Sequence, residues 1–274
     1  MASVTPKRRH GKSAPRHFSW RGLRIGLLLL LFALLASSAW LTRRHAADWN
    51  RPLWVVAFPI NADGSTVTAA YIDTLTRESF APIEQYLSEQ ARGYGMTRTV
   101  PMEVRLGPRL AQRPPAPPYG GSVLQTVAWS LHLRWWAWRA AGAYAGPPID
   151  VRLFVLYHDP ALSPRLDHSL GLKEGMIGLA NVFADRSMAG SNQVVIAHEL
   201  LHTVGATDKY APATGLPIFP EGYAEPERVP RYPQPLAELM GGRTPVTAVS
   251  AEIPGGLAQT RIGAVTAREI GWLD

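Results

Sequence analysis

The residues best suited to chemistry lie at positions 198–208, which read His-Glu-Leu-Leu-His-Thr-Val-Gly-Ala-Thr-Asp. His198 and His202 are four residues apart, so a helix would present both imidazoles on one face. Each imidazole can bind a Zn²⁺ ion through a ring nitrogen at about 2.0–2.1 Å. Glu199 would reach a water on the metal rather than the metal itself, and could accept the proton of that water. The spacing therefore predicts a zinc site with a general base.

A third ligand is predicted from the glycine that follows the second histidine. Gly205 can adopt a left-handed backbone conformation, which would end the helix and turn the chain back towards the metal. Asp208 would then supply a carboxylate oxygen at about 2.0–2.2 Å from the ion. Two imidazoles and one carboxylate leave a fourth position for water, which is the arrangement of a catalytic zinc site rather than a structural one.

Several glutamates further along the chain are rival third ligands: Glu221, Glu225, Glu227 and Glu238. Another class of proteins with the same histidine pair takes such a ligand from a second helix. Six prolines between positions 217 and 235 argue against a helix in that region. Asp208 is therefore the predicted third ligand.

The pattern over 198–208 resembles the extended zinc motif of the metzincin metalloproteases, HExxHxxGxxH, in the variant with aspartate as third ligand that snapalysin-type enzymes use. The resemblance extends to Met240 in Ala-Glu-Leu-Met-Gly-Gly, which stands downstream of the motif as the Met-turn of that family does. It implies that Met240 is an apolar floor beneath the metal. It also implies an α+β fold with a mixed-sheet upper subdomain, an active-site helix and an irregular lower subdomain.

Three features depart from the family pattern. The third ligand is Asp208 rather than a histidine. No tyrosine follows Met240, so the tyrosine ligand of some members has no evident equivalent, and the unplaced candidates are Tyr210, Tyr223 and Tyr232. A predicted helix over residues 122–141 also separates two strands that are more closely connected in small members of the family.

Hydrophobic spacing along the chain predicts the elements that position the motif. Apolar segments predict strands over 53–60, 102–106, 150–157 and 176–184, and helical spacing covers 67–92 and 122–141. In the second of these helices, one apolar face is predicted to be core: Leu124, Ala128, Leu131, Trp135 and Trp138. The motif helix is predicted to begin at a cap, Ser191 or Asn192. Residues 206–263 are rich in proline and glycine, and a short helix over 265–272 follows.

An apolar segment near the N-terminus predicts where the chain resides. Residues 23–41 are long and apolar enough to cross a bilayer as a helix, and basic side chains without acidic ones precede them. This pattern predicts a signal anchor in the inner membrane, with the remaining chain facing the periplasm or exterior. Cleavage as a signal peptide near Ser37 and Ala39, giving a secreted protein, is the alternative. The predicted organisation is a cytoplasmic basic tail (1–22), a transmembrane anchor (23–41), a linker (42–51) and a zinc metalloprotease domain (52–274).

The charge distribution argues against a nucleic-acid partner. Of the 28 basic side chains, seven precede residue 42, so the remaining 21 balance the 21 acidic side chains. The chain has no cysteine, which excludes disulfides and thiolate ligands.

These observations predict a zinc metallopeptidase that hydrolyses protein or peptide substrates by a zinc-activated water, with Glu199 as general base. Two alternatives stay open. One is a non-catalytic metal-binding domain that binds an envelope partner, and the other is a zinc hydrolase of a non-peptide envelope substrate. The oligomeric state is not predicted by the sequence.

Overall fold

The computed structural model of the chain describes residues 20, 24–30, 49–96, 100–118, 120–167, 169–173 and 175–273. The chain divides into two compact units, Met1–Trp40 and Leu41–Asp274. In the first unit the described residues are helical, at position 20 and over 24–30. The second unit carries the sheet, its helices and the predicted motif.

The membrane-spanning helix predicted over 23–41 is contradicted. Among the described residues, no helix has both the length and the apolar character needed to cross a membrane. The described residues of that range, 24–30, are helical. The rest of the predicted anchor (23 and 31–41), the tail except residue 20, and positions 42–48 of the linker lie outside the described residues.

A five-stranded mixed sheet forms the centre of the second unit. Its strands are β1 (Leu53–Asn61), β2 (Met102–Leu106), β3 (Val151–His158), β4 (Leu170–Leu172) and β5 (Ile177–Phe183). Their order across the sheet is β2-β1-β3-β5-β4. All neighbouring pairs are parallel except β4 and β5, which are antiparallel. The predicted α+β class with a mixed sheet is therefore confirmed.

Both faces of this sheet are covered, which explains the continuous apolar run of β1. Along β1, Val55 and Ala57 belong to one buried cluster, whereas Val56, Phe58 and Ile60 belong to a second cluster on the opposite face. Alternate side chains of a strand point to opposite faces, so a strand that is buried on both sides has no polar positions.

The described part of the second unit holds five α-helices: α1 (Thr66–Asp73), α2 (Ala81–Gly93), α3 (Val123–Ala141), α4 (Ala189–Val204) and α5 (Ala264–Glu269). The single helix predicted over 67–92 is divided into α1 and α2 by a 3₁₀ turn at Arg77–Phe80. Ser79 Oγ accepts a hydrogen bond from Thr76 N at 3.1 Å, which caps the start of this turn. Pro82 follows in the first turn of α2, where its missing N–H has no helical partner to lose.

The face of α3 that was predicted to lie in the core faces solvent instead, so this prediction is wrong. Leu124, Leu131, Trp135 and Trp138 are exposed, whereas the opposite face of the helix is buried, including Leu133, Trp136 and Ala137. Both faces of this helix are apolar, so periodicity alone could not indicate which of them would pack against the sheet.

Residues 206–273 form the irregular half that the proline and glycine content predicts. Its strands are two residues long: β6 (Ala237–Glu238) pairs in parallel with β9 (Thr260–Arg261), and β7 (Thr244–Pro245) pairs antiparallel with β8 (Ala251–Glu252). Leu239, Met240 and Ile262 from this half are buried in the same cluster as α4, so the irregular chain packs against the motif helix.

Strand β4 approaches α4 so closely that Gly171 leaves no room for a side chain. A Cβ at position 171 would meet His202 Cβ and would lie 2.7 Å from the Glu199 carbonyl oxygen. We expect Gly171→Ala to lower the free energy of unfolding by about 1–3 kcal/mol, measured in urea, because neither neighbour can move without shifting the helix. Gly93→Ala is the matched control, since a Cβ there meets nothing within 4 Å. An equal effect of both variants would contradict this packing.

Candidate metal centre

Helix α4 carries both histidines and is fixed at its start to strand β5. The helix begins at Ala189, directly after the 3₁₀ turn Arg186–Met188, so the predicted cap at Ser191 or Asn192 is wrong. The Asn192 side chain instead accepts a hydrogen bond from Phe183 N at 3.0 Å and donates one to Phe183 O at 2.8 Å. These two bonds satisfy backbone groups at the end of β5 and hold α4 against it.

The helix ends at Val204 and is capped by Gly205, whose φ of 116° lies in the left-handed region that favours glycine. Gly205 N and Ala206 N both donate to Leu201 O, at 3.1 and 3.0 Å, which closes the last turn and reverses the chain. This bend brings Asp208 back to the two imidazoles, as the position of the glycine predicts.

Three side-chain atoms meet in one small space. Asp208 Oδ1 lies 3.1 Å from His198 Nε2 and 3.2 Å from His202 Nε2. The two Nε2 atoms are 3.0 Å apart. Ligands of a tetrahedral ion with bonds near 2.05 Å are separated by about 3.3 Å. The three residues could therefore hold a metal ion.

The other ring nitrogen of each histidine fixes its tautomer. His198 Nδ1 lies 2.9 Å from Leu239 O, and His202 Nδ1 lies 2.8 Å from Ala206 O. Because a carbonyl oxygen only accepts, both Nδ1 atoms must donate, and in the neutral imidazoles both Nε2 atoms present lone pairs. Two lone pairs and a carboxylate oxygen at this spacing repel one another unless a cation or a proton lies between them. The donor set of two imidazoles and one carboxylate fits zinc.

Glu199 is buried beside this group with one oxygen unpaired. The residue is 5% exposed, and its Oε2 has no hydrogen-bond partner within the part of the chain that the structure describes. Burial raises the pKa of Glu199. A buried, unpaired carboxylate oxygen is costly to maintain, so its presence here indicates a partner that the protein chain itself does not supply.

Charge coupling within the group is strong. Burial lowers the pKa of His198, but the hydrogen bond to Asp208 and the charge of Glu199 outweigh it and raise that pKa to about 9. Burial likewise raises the pKa of Asp208, yet hydrogen bonds to His198 and His202 hold it well below its usual range. In the absence of a metal, a proton on His198 is therefore the cation that the site retains at neutral pH.

A cavity of about 500 Å³ opens beside His198 and Glu199. Most of its walls are apolar and come from β5, α4 and the irregular half, including Val182, Phe183, Val194, Val195 and Ile253. Tyr210 also lines it, with its ring centre 6.3 Å from that of His198. Burial, followed by the charges of Asp208 and Glu199, raises the pKa of Tyr210 to about 12, so its hydroxyl remains a hydrogen-bond donor.

The turn at Leu239–Gly241 lies directly against His198. Its Leu239 carbonyl is the acceptor for His198 Nδ1, and Met240 is fully buried in the cluster that includes α4. Glu238 caps the turn by accepting from Gly241 N at 2.8 Å. Met240 thus directly follows the residue whose carbonyl oxygen contacts His198. Its role as an apolar floor beneath a metal stays a prediction.

Of the other candidates considered from the sequence, Tyr210 lines the cavity beside His198, whereas four more are engaged with residues other than the three ligands. Glu238 is engaged by Gly241, Gly263 and Thr266, and Glu225 pairs with Arg228 and Arg261. Tyr223 and Tyr232 contact each other through their hydroxyls at 2.9 Å. Among the described residues, the group of metal-ligand atoms is made by His198, His202 and Asp208 alone.

A partly buried ion pair that sequence reasoning missed holds the residues on either side of Asp208. Glu269 on α5 accepts from Thr207 N at 2.9 Å and from Thr207 Oγ1 at 2.7 Å. It also accepts from Lys209 Nζ at 2.7 Å, and Lys209 is only 2% exposed. The bond between Lys209 N and Met240 O, at 2.9 Å, ties the same segment to the turn beneath His198. Sixty residues separate Lys209 from Glu269, so no local pattern could have indicated the pair.

Similarity to known proteins is confined to solved structures. No protein-family model matches the chain, and no curated protein matches it. One solved structure that does match is described as "Structure of a chaperone-substrate complex", with 12% sequence identity and a TM-score of 0.40. The match covers 80% of this chain and 33% of that chain, so this chain spans about a third of that protein's length.

The pKa of His198 predicts how metal affinity depends on pH. Below about pH 9 a metal must displace the proton from His198, so affinity should rise about tenfold per pH unit between pH 7 and 9 and then level off. Zinc titration of the full chain against a chromophoric chelator at several pH values measures this slope. A zinc affinity that does not change between pH 7 and 8.5 would contradict the proton competition.

Glu269 is predicted to position the carboxylate ligand. Glu269→Gln removes the charge that holds Thr207 and Lys209, so zinc affinity should fall about 10–100-fold, as for other residues that orient metal ligands. Unfolding in urea, measured on the same samples, separates lost affinity from lost folding. Glu225→Gln is the matched control, because it weakens an ion pair with Arg228 that lies away from the centre. Unchanged zinc affinity in a folded Glu269→Gln protein would rule out the positioning role.

Proposed function

We propose that the chain is a zinc-dependent endopeptidase of the metzincin type, in which His198, His202 and Asp208 hold the ion and Glu199 is the general base. The observation that carries the proposal is the triangle of ligand atoms, with sides of 3.0–3.2 Å, next to a buried carboxylate with an unpaired oxygen. Three protein ligands leave the further position that a catalytic zinc site requires.

A zinc ion in this position would lower the pKa of a water molecule towards about 7 and polarise a substrate carbonyl. Glu199 accepts the proton of the attacking water and delivers it to the leaving amine. Burial raises the pKa of Glu199, which makes its carboxylate a better proton acceptor than an exposed one. The hydrogen bonds that His198 and His202 donate to Leu239 O and Ala206 O would keep both Nε2 atoms directed at a bound ion.

The cavity beside Glu199 supports a peptide substrate with an apolar side chain next to the cleaved bond. Its volume of about 500 Å³ is sufficient for a large side chain, and most of its lining is apolar. Tyr210, at the same wall, offers a hydroxyl donor for the carbonyl oxygen as negative charge develops on it.

The burial of Glu199 argues against one of the two alternatives, the non-catalytic metal-binding domain, and leaves the hydrolase of a non-peptide substrate open. A domain that only binds metal gains nothing from a buried carboxylate with a free oxygen, because burying that group costs free energy. A non-peptide substrate remains compatible with the same residues, and the two substrate classes are separated by assay.

Two variants test the assignments of base and ligand. Glu199→Gln should keep zinc, measured by metal analysis of the purified full chain, and should lose about 10²–10⁴-fold in peptide cleavage, because the proton acceptor is gone. Asp208→Ala should lose zinc and activity together. Glu221→Gln is the control, since Glu221 is an exposed glutamate in the irregular half.

Cleavage of a mixed peptide library by the zinc-loaded chain tests whether the protein is a peptidase. Retained cleavage in Glu199→Gln would remove the base assignment. Bound zinc with no turnover of peptides, but with turnover of a glycan substrate, would replace the peptidase by a hydrolase of another class.

A further inference from the structure

Helix α3 presents an apolar face to solvent. This outer face consists of Val123, Leu124, Val127, Leu131, Trp135 and Trp138. The exposed fraction is 80% for Leu124, 52% for Trp135 and 68% for Trp138. Their spacing places them in one stripe about 120° wide along the helix, over about four turns. Exposed apolar surface of this extent and continuity marks an interaction site rather than scattered surface residues.

The inner face of the same helix is already used by the fold. Leu133, Trp136 and Ala137 are buried against the sheet, and the Trp136 ring centre lies 4.7 Å from that of Phe154. A helix that is apolar on all sides is normally buried on all sides. The outer face of α3 therefore needs a cover that the described chain does not provide.

The stretch of chain that contains α3 is basic. No aspartate or glutamate occurs between Glu103 and Asp150, whereas five arginines do: Arg105, Arg109, Arg113, Arg134 and Arg139. Arg105 and Arg109 pair with Glu103 and Asp73, so the exposed Arg113 and Arg139 are the charges that α3 and its loop offer to a partner. The guanidinium of Arg139 lies 5.7 Å from the ring centre of Trp135, at the edge of the outer face. Arg113 is exposed on the proline-rich loop, which is tied to α3 by the bond between Trp129 Nε1 and Pro115 O at 2.9 Å. An anionic partner is therefore complementary to this surface.

We propose that the outer face of α3 docks on an anionic lipid bilayer surface. Apolar and tryptophan side chains on one face of a helix, with arginines at its edges, are the features of helices that lie in the membrane interface. Tryptophan suits that interface because its ring is apolar and its N–H is polar. A second copy of the chain is a poorer occupant, since two such helices would bring arginines together without any carboxylate from this region.

This docking would not block the metal centre. The outer face of α3 lies on the side of the sheet whose cluster includes Phe58 and Phe154. Helix α4 packs in the cluster on the other side. A bilayer on α3 is thus separated from the centre by α3 and the sheet. The proposal stands apart from the proposed hydrolysis, and either can fail without the other.

The absence of cysteine from the chain permits a local test. A single cysteine at the outer face, Leu131→Cys, is labelled in the full chain with an environment-sensitive fluorophore. The matched control is Val229→Cys, at a residue that is 93% exposed in the irregular half. Each labelled protein is mixed with vesicles of phosphatidylcholine containing about 30% phosphatidylglycerol, or with phosphatidylcholine alone. Quenching by aqueous iodide then reports whether the label has left water.

On the anionic vesicles, we expect iodide quenching to fall several-fold for the Leu131→Cys label and to stay unchanged for the Val229→Cys label. Adding Trp135→Ser and Trp138→Ser to the Leu131→Cys protein should restore quenching, because the apolar contact is lost. Adding Arg139→Gln instead should weaken the lipid-dependent fall in quenching about fivefold. The loss should be larger in a buffer of low salt concentration than in one of high salt concentration.

Two results would overturn the proposal. The first is a Leu131→Cys label that stays fully quenched while the protein sediments with the vesicles, which would mean that another part of the chain makes the contact. The second is protection of the label without lipid that increases with protein concentration, which would identify a second copy as the cover of α3.

Discussion

Two hydrogen bonds set the condition on which the candidate metal centre depends. The Nδ1 atoms of His198 and His202 donate to backbone carbonyls, which directs both Nε2 lone pairs at Asp208 Oδ1 within 3.2 Å. Three electron-rich atoms cannot remain at this spacing without a positive charge between them. The pKa of His198 is raised for the same reason, because a proton there supplies the positive charge. The fold therefore creates a requirement for a cation before any ligand is considered.

The parts that create this requirement come from separate stretches of the chain. Helix α4 supplies both imidazoles, the bend at Gly205 returns the carboxylate, and the turn at Leu239–Gly241 supplies one of the two acceptors. Glu269 near the C-terminus then holds the segment on both sides of Asp208 through Thr207 and Lys209. The motif at 198–208 consequently has its geometry only when the irregular half is packed against α4.

What the sequence could predict is what depends on local spacing. The positions of His198, His202, Gly205 and Asp208 follow from helix periodicity and one left-handed residue, and the strands follow from apolar runs. Periodicity failed for α3, because a helix that is apolar all round does not reveal its inner face. The length of the apolar run at 23–41 and its basic flank predicted a membrane span, but no helix among the described residues is long and apolar enough for one. The pair of Lys209 and Glu269 joins distant positions and leaves no periodic signal.

Topology explains why α3 lies across the sheet from the candidate metal centre. Strand β1 is followed by β2 on one side of it, and β3 lies on the other side, so the two crossovers run in opposite directions. Parallel crossovers are right-handed, so connections that run in opposite directions must cover opposite faces of the sheet. Helices α1 and α2, in the first crossover, share the face of α4, and α3, in the second, must occupy the other. Any surface that α3 presents is therefore separated by the sheet from the metal centre, whatever its side chains are.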